Sequence, residues 1–145
     1  MKAQEIELDI KYPDKIIALP SFTENGYHLY STDAISCLKF LRKEIDIQFY
    51  VSPDGYWEQR SIDWLGPTLF FTGKLLLENP DLLNILFECI SNYVKDKTPS
   101  REKTTVKMKV VCKKDETSKC LEIDYEGDIT GIIDIKETII SLIKD

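Results

Sequence analysis

Apolar and polar residues alternate in the first part of the chain, and this pattern predicts strands. Every second residue from Glu5 to Tyr12 is apolar, as in a strand with one buried and one exposed face. A second short apolar piece runs from Lys15 to Leu19, and Pro20 ends it. Residues 22–26 are interpreted as a loop, in which Asn25-Gly26 predicts a turn. Alternation from Ile45 to Val51 predicts a third strand, which the turn-forming residues 52–55 close.

The most regular alternation lies in the last third of the chain and predicts a β-hairpin. Apolar residues alternate with lysines in Val106–Cys112, and they alternate with acidic residues in Leu121–Tyr125. A basic strand is therefore followed by an acidic one. Cross-strand Lys–Glu pairs would each stabilise the register by ~0.2–1 kcal/mol.

Helical spacing of apolar residues predicts three helices. The first spans Ser31–Glu44. Its start is indicated by its first three side chains, which can accept hydrogen bonds from the free N–H groups of a first turn. The second opens at Pro80-Asp81 and continues to Val94, with apolar residues over more than half of its circumference, so it should be mostly buried. The third is Ile135–Ile143, which Asp134 precedes at capping-box spacing from Glu137.

The densest apolar stretch is Ser61–Val94, and we interpret it as a buried helical pair. Gly66-Pro67 and Gly73 interrupt its first half. Neither belongs to a phosphate-binding glycine motif, so we interpret them as helix punctuation. The second half is the clear helix that ends at Val94. The pattern leaves open whether the segment Tyr56–Leu77 belongs to the core or to an interface.

The order of these elements predicts one α+β domain over residues 1–145. It should contain a single sheet of about four strands, with an antiparallel hairpin at its C-terminal end. Three to four helices should pack mainly on one face of this sheet. The helix Ser31–Glu44 lies between two predicted strands, which is the position of a right-handed βαβ crossover.

Composition and charge narrow the class of function. The 145 residues carry a net charge of −6, which argues against a nucleic-acid partner and against anionic membrane surfaces. The N-terminal residues lack the apolar core of a signal peptide, and no apolar run is long enough to predict a membrane span. We therefore expect a cytoplasmic protein with reduced cysteines at four positions: Cys37, Cys89, Cys112 and Cys120.

Catalytic and metal-binding motifs are weak, so we predict a non-enzymatic protein without a cofactor or metal. The only histidine, His28, lies near a predicted strand end beside Tyr27 and is interpreted as a structural or surface residue. Cys112 and Cys120 flank the hairpin turn, and two thiols without further ligands are better explained as buried strand residues than as a zinc site.

An aromatic and basic segment provides the candidate interaction residues. Tyr56, Trp57, Arg60 and Trp64 are of the residue types that dominate interface hot spots. The alternative is that Trp57 or Trp64 covers the core. The wide apolar surface of residues 69–94 could also support a homo-oligomer, although one sheet with its helices can absorb most of it.

The C-terminal half resembles a known family in its order of elements. An apolar helix (Leu82–Val94) and a polar linker precede the strand T-V-K-M-K-V (Thr105–Val110), and a second strand (Leu121–Tyr125) and an apolar helix (Ile135–Ile143) follow. This arrangement is similar to the effector-associated constant component domains of bacterial conflict and antiphage systems. The resemblance extends from about Ile45 to the end, and it implies a small α+β adaptor that accompanies a separate effector or protease.

We therefore predict a protein-interaction domain that docks on a protein partner. The segment Tyr56–Arg60 would be the anchor, and the acidic surface would steer a more basic partner. The alternative is a small acidic inhibitor or immunity protein that blocks a partner enzyme. A third reading is an enzyme whose site is assembled only in an oligomer, and a deep polar cleft around His28 would favour it.

Overall fold

The chain is an α+β protein whose main element is a six-stranded sheet. The computed structural model describes residues 2–7, 15–51, 53–57, 64–97, 105–113 and 119–144, and all structural statements concern these residues. The strands are β1 (Lys2–Glu7), β2 (Ile16–Leu19), β3 (Phe22–Glu24), β4 (Tyr27–Ser31), β5 (Ile47–Phe49), β6 (Gly55–Trp57), β7 (Trp64–Thr72), β8 (Val106–Lys113) and β9 (Lys119–Gly127). The helices are α1 (Thr32–Leu41), α2 (Gly73–Glu78), α3 (Leu82–Lys97) and α4 (Ile132–Lys144), with a 3₁₀ turn at Ile129–Gly131.

The main sheet is mixed, with the strand order β1-β9-β8-β7-β2-β5. Neighbouring strands are antiparallel at β1/β9, β9/β8 and β7/β2. They are parallel at β8/β7 and β2/β5. A second, three-stranded sheet has the order β3-β4-β6. The predicted single sheet of about four strands is therefore wrong in both its size and its pairing.

The strand β7 is the main reason for that error. It lies between β8 and β2, and it is buried on both faces: Phe70 and Phe71 are each fully buried. A strand that is buried on both faces shows a continuous apolar run without alternation, and a short run of this kind cannot be distinguished from a buried helix by periodicity. The interpretation of Ser61–Val94 as a helical pair is thus wrong for residues 64–72, and residues 61–63 lie outside the described part.

Each parallel pair of strands is joined through helices. The connection from β2 to β5 contains α1, as predicted for a βαβ crossover, and also the hairpin of β3 and β4. The connection from β7 to β8 contains α2 and α3. Parallel neighbours need such crossovers because a short turn can only reverse the chain direction.

One face of the main sheet carries the large core. Side chains of all four helices pack there against alternate residues of the strands, among them Leu69 and Phe71 of β7. The opposite face carries a smaller apolar cluster, formed by Ile17, Phe70, Val111 and Cys120. The helical layer and the sheet therefore share one continuous core, and the helices' outer surfaces are available for other contacts.

The second sheet begins with a tight hairpin at the predicted turn Asn25-Gly26. Both residues have positive φ values, 51° and 82°. Two such residues match the backbone twist of a two-residue hairpin loop, and Asn-Gly is the preferred pair. The hairpin pairs Phe22 with Leu29, and β4 then pairs in parallel with β6. The sequence analysis identified this turn but missed the two short strands on either side of it.

The C-terminal hairpin of β8 and β9 confirms the predicted pairing of basic and acidic strands. Lys107 lies opposite Glu126, and their side chains form an ion pair of 3.9 Å. Lys109 lies opposite Asp124 and reaches diagonally to Glu122 at 4.0 Å. Because these pairs are largely exposed, they contribute to the register more than to stability.

The last helix begins slightly earlier than the capping-box spacing predicts. The Asp128 side chain accepts a hydrogen bond of 2.9 Å from the backbone N–H of Gly131, so it caps the 3₁₀ turn that leads into α4. The Tyr125 hydroxyl donates a bond of 2.6 Å to the carbonyl of Asp128. The connection between β9 and α4 is therefore anchored at its beginning.

Candidate interaction site

Helix α1 is attached to the central strand β7 at its first turn. The Ser31 hydroxyl accepts a hydrogen bond from the N–H of Ala34 (2.9 Å) and donates one to the carbonyl of Leu65 (2.7 Å). The Asp33 carboxylate accepts from the N–H of Leu65 (3.1 Å). Burial raises the pKa of Asp33, and the bond from Leu65 acts in the opposite direction. Ser31 thus acts both as the predicted N-cap and as a tertiary anchor.

A group of aromatic rings lies where α1 packs against α3. The Phe40 and Tyr93 rings are 5.2 Å apart, and the Trp64 and Tyr93 rings are 6.5 Å apart. Tyr93 is 7% exposed and is hydrogen-bonded to Ser36. Trp64 and Tyr93 belong to the large core, whereas Phe40 is only partly buried. These rings form an aromatic floor between the two helices.

Lysines surround this floor. The Lys43 Nζ lies 6.0 Å from the centre of the Phe40 ring, and the Lys97 Nζ lies 5.8 Å from the centre of the Tyr93 ring. Both distances are within the range of cation–π attraction. The resulting depression has a volume of about 440 Å³. We call it the α1–α3 groove, and it is lined by Ser36, Lys39, Phe40, Lys43, Tyr93, Asp96 and Lys97.

The charge of the α1–α3 groove is opposite to that of the whole chain. Its lining has three lysines and one aspartate, whereas the chain has 25 acidic and 19 basic residues. Lys39 lies in the last turn of α1, and Lys97 lies in the last turn of α3. Positive charge is favourable at these helix ends, which helps to explain why lysines are tolerated close together there.

Among the four sequence-predicted interaction residues, Trp64 is the one whose side chain lies within the described part of the chain. Trp64 is 4% exposed and packs in the large core, where it supports the aromatic floor through Tyr93. Tyr56 and Trp57 lie on β6, and their backbones pair with β4. Arg60 lies outside the described residues.

His28 lies on the β3–β4 hairpin. Its backbone N–H donates a hydrogen bond of 2.8 Å to the Asp54 carboxylate. Its ring Nδ1 is 3.4 Å from the Thr23 hydroxyl, in an exposed contact. These contacts connect the hairpin to the segment before β6, which is a structural role of the kind that the sequence predicted.

The predicted buried strand cysteines are confirmed. All four cysteines are free, and Cys112 and Cys120 are 5% and 3% exposed. These two residues lie on paired strands but belong to clusters on opposite faces of the sheet. Burial raises the pKa of the Cys112 thiol to about 12 and that of the Cys37 thiol to about 12.

The four thiols should therefore react at very different rates. We expect iodoacetamide at mildly alkaline pH to label Cys89 first, because it alone among the four is only partly buried and the thiolate is the reactive form. Cys37, Cys112 and Cys120 should be labelled only slowly. Mass spectrometry of tryptic peptides at successive times gives the order, and the unfolded chain in guanidinium should react at all four sites. Early labelling of Cys112 would contradict the packing of β8.

A second depression lies on the other side of α3. It has a volume of about 540 Å³ and is lined by Asn84, Phe87, Glu88, Ser91, Asn92, Lys95, Ile133 and Lys136. Ile133 is 52% exposed at its margin. We call it the α3–α4 groove. Its charges are mixed and amide side chains are prominent, so it lacks the concentration of lysines around aromatic rings that marks the α1–α3 groove.

The sequence analysis missed the α1–α3 groove because its two walls are distant in the chain. Each wall has a local signal: Lys39 in α1 and Lys43 in the turn after it are four residues apart, and so are Tyr93 and Lys97 on one face of α3. Nothing in either segment indicates that these faces meet. That information is contained only in the packing of α1 on α3.

The described residues were also compared with the requirements of a metal site and of a membrane-spanning helix. Within the described ranges, no three His, Cys, Asp or Glu side chains converge in a way that could hold a metal ion. None of the helices in the described part of the chain has the length and apolarity to span a bilayer. Comparison with protein-family models, curated proteins and solved structures gives no match.

Proposed function

We propose that this chain is a non-enzymatic adaptor domain that docks on a partner protein through the α1–α3 groove. The observation that supports this most directly is the aromatic floor of Phe40 and Tyr93 with Lys39, Lys43 and Lys97 around it. A biological setting in a bacterial conflict or antiphage system follows from the resemblance of the C-terminal half. In that setting the domain would act as an adaptor that accompanies a separate effector or protease.

The construction of the groove supports a docking role. The partly exposed Phe40 ring supplies an apolar contact, and polar and charged groups around it can exclude water when a partner binds. Ser31 and Asp33 attach α1 to β7. The α1 wall of the groove is therefore already fixed in the unbound protein. A fixed wall reduces the ordering entropy that association would otherwise cost.

The alternative of an acidic inhibitor receives less support. Such a protein needs an acidic face whose charge is not neutralised by neighbouring lysines. The acidic residues of β9 are the main candidate for such a face. On the sheet, Lys107 and Lys109 lie beside Glu126 and Glu122 at ion-pair distances. The two rows thus largely neutralise each other, and the face has little net field to attract a basic enzyme.

Filling the groove tests the proposal. Ser36 is exposed and lines the groove, so Ser36→Trp should occlude it, while Ser91→Trp places the same side chain in the α3–α4 groove. The domain is co-expressed with the proteins encoded by neighbouring genes, and each variant is tested for partner binding. We expect Ser36→Trp to lower the partner's affinity at least about tenfold, or about 1.4 kcal/mol, and Ser91→Trp to leave it unchanged.

Three controls make this result interpretable. Ser36→Ala removes the hydrogen bond to Tyr93 without filling the groove, and it should retain the partner. Thermal unfolding must show that each variant is folded. A triple variant with Tyr56→Ala, Trp57→Ala and Arg60→Ala tests the sequence-predicted anchor in the same assay. If Ser36→Trp binds the partner fully and the triple variant does not, the docking surface is the segment Tyr56–Arg60 and not the α1–α3 groove.

A further inference from the structure

We infer that the partner segment bound in the α1–α3 groove is a short acidic peptide stretch with one bulky apolar side chain at its centre. This inference rests on the proposed docking function and names the chemistry of the partner. It follows from three properties of the groove: the arrangement of its charges, the position of its rings and its size.

The charges are arranged on both sides of the aromatic floor. Lys39 and Lys43 extend from α1 and its C-terminal turn, and Lys97 extends from the last turn of α3. Asp96 is the only acidic residue in the described lining. An acidic segment lying along the groove could place carboxylates beside lysines on both walls. The remaining surface, which is acidic on balance, would repel the same segment and so direct it to this site.

The aromatic rings determine which kind of side chain the partner segment should place between its carboxylates. The Lys43 ammonium group is 6.0 Å from the centre of the Phe40 ring, the Lys97 ammonium group is 5.8 Å from the centre of the Tyr93 ring, and Phe40 is only partly buried. An apolar side chain that packs on Phe40 would remove its exposed area from water. Carboxylates on either side of that side chain would then lie near the two ammonium groups.

The size of the groove fits a short segment. Its volume of about 440 Å³ is within the range of about 300–1,000 Å³ that is typical of ligand pockets. This space accommodates one large side chain and its immediate neighbours. A groove between two helices is also a common recognition mode for linear peptides, in which a few side chains anchor an otherwise exposed stretch.

The experiment uses a fluorescein-labelled peptide of the sequence Glu-Asp-Glu-Phe-Ser-Glu-Asp-Glu as the probe. Binding to the full chain is followed by fluorescence anisotropy at two salt concentrations. The test variant combines Lys43→Glu with Lys97→Glu. The matched control combines Lys74→Glu with Lys95→Glu, which are exposed on α2 and on the other side of α3 and change the net charge by the same amount.

We expect saturable binding to the wild type, a loss of roughly tenfold or more in the test variant and a change of less than about twofold in the control. A second peptide, in which Ser replaces the single Phe, should bind more weakly to the wild type. Added salt should weaken binding of the first peptide because the lysines are exposed.

Several outcomes would overturn the inference. Equal losses in the test and control variants would mean a response to net charge. Equal binding of the two peptides would remove the apolar contribution. If a single-stranded oligonucleotide or vesicles with anionic lipid bind as tightly and depend equally on Lys43 and Lys97, the groove is a general anion site. If the peptide fails to bind while Ser36→Trp still abolishes partner binding, the docking function stands and only the acidic chemistry is wrong.

Discussion

Phe71→Ala is expected to lower the free energy of unfolding by about 3–5 kcal/mol, the largest effect of any single change proposed for this chain. Phe71 is fully buried near the C-terminal end of β7 and belongs to the core shared by the sheet and the four helices. Its removal would leave a cavity whose lining comes from several elements at once. Because these elements are fixed by the strand pairing around β7, they cannot easily move inward to fill it.

Urea unfolding followed by circular dichroism measures this change. Leu77→Ala is the matched control, since Leu77 on α2 is 72% exposed and its truncation should change stability by less than about 0.5 kcal/mol. If Phe71→Ala and Leu77→Ala have similar effects, residue 71 does not face the main core and the assignment of β7 fails. A fully unfolded Phe71→Ala protein would agree with the prediction, because a loss of this size is a large fraction of a domain's stability.

The parts of the fold that could be predicted are those in which one face is buried and the other is exposed. The hairpin of β8 and β9 has this character, and so do β5 and α1. In each of them the period of the apolar residues reports the secondary structure directly. The strand β7 lacks this signal because it is buried on both faces. Since β7 joins β8 to β2, missing it also meant missing the order and the mixed pairing of the sheet.

The second sheet was missed for a different reason. Its strands β3 and β6 contain three residues each and, unlike the equally short β5, are not extended by alternating apolar residues on either side, so no period is visible. The local turn at Asn25-Gly26 was recognised because its chemistry is specific to hairpins. The parallel pairing of β4 with β6 could not be recognised, because it depends on where the chain returns after α1 and β5.

For the candidate site as well, the sequence predicts local features but not which side chains are exposed or brought together. The sequence predicts four interaction residues, Tyr56, Trp57, Arg60 and Trp64, because their types are typical of interfaces, but residue type does not determine exposure. Trp64 proved to be a core residue, and it contributes to the α1–α3 groove only by supporting Tyr93. The groove residues themselves are ordinary helical lysines and aromatics. What distinguishes them is that two helices from different crossovers place them next to each other.

Gly66→Ala should destabilise the protein by about 1–3 kcal/mol, although alanine is the better helix former. A methyl group at position 66 would lie 2.8 Å from the Cη2 atom of the Trp64 ring, closer than packed carbon atoms can approach. Trp64 is buried against Tyr93 and the strand β8, so its ring has little room to move. If Gly66-Pro67 were instead an exposed break between two helices, no ring would oppose the methyl group, and the change should cost less than about 0.5 kcal/mol. The size of the effect therefore distinguishes the observed strand from the helical interpretation.

A double-mutant cycle tests the stated cause. In the background of Trp64→Leu the smaller side chain leaves space for the added methyl group, so Gly66→Ala should cost much less there than in the wild type. The two changes should be coupled by at least about 0.5 kcal/mol, which is the range found for residues in contact. Strictly additive effects would show that the glycine is needed for a reason other than the ring of Trp64. Because this ring also supports Tyr93, both single variants should weaken acidic-peptide binding more than Leu77→Ala does. If the two single variants are destabilised but bind the acidic peptide normally, the core beneath the groove does not contribute to peptide binding.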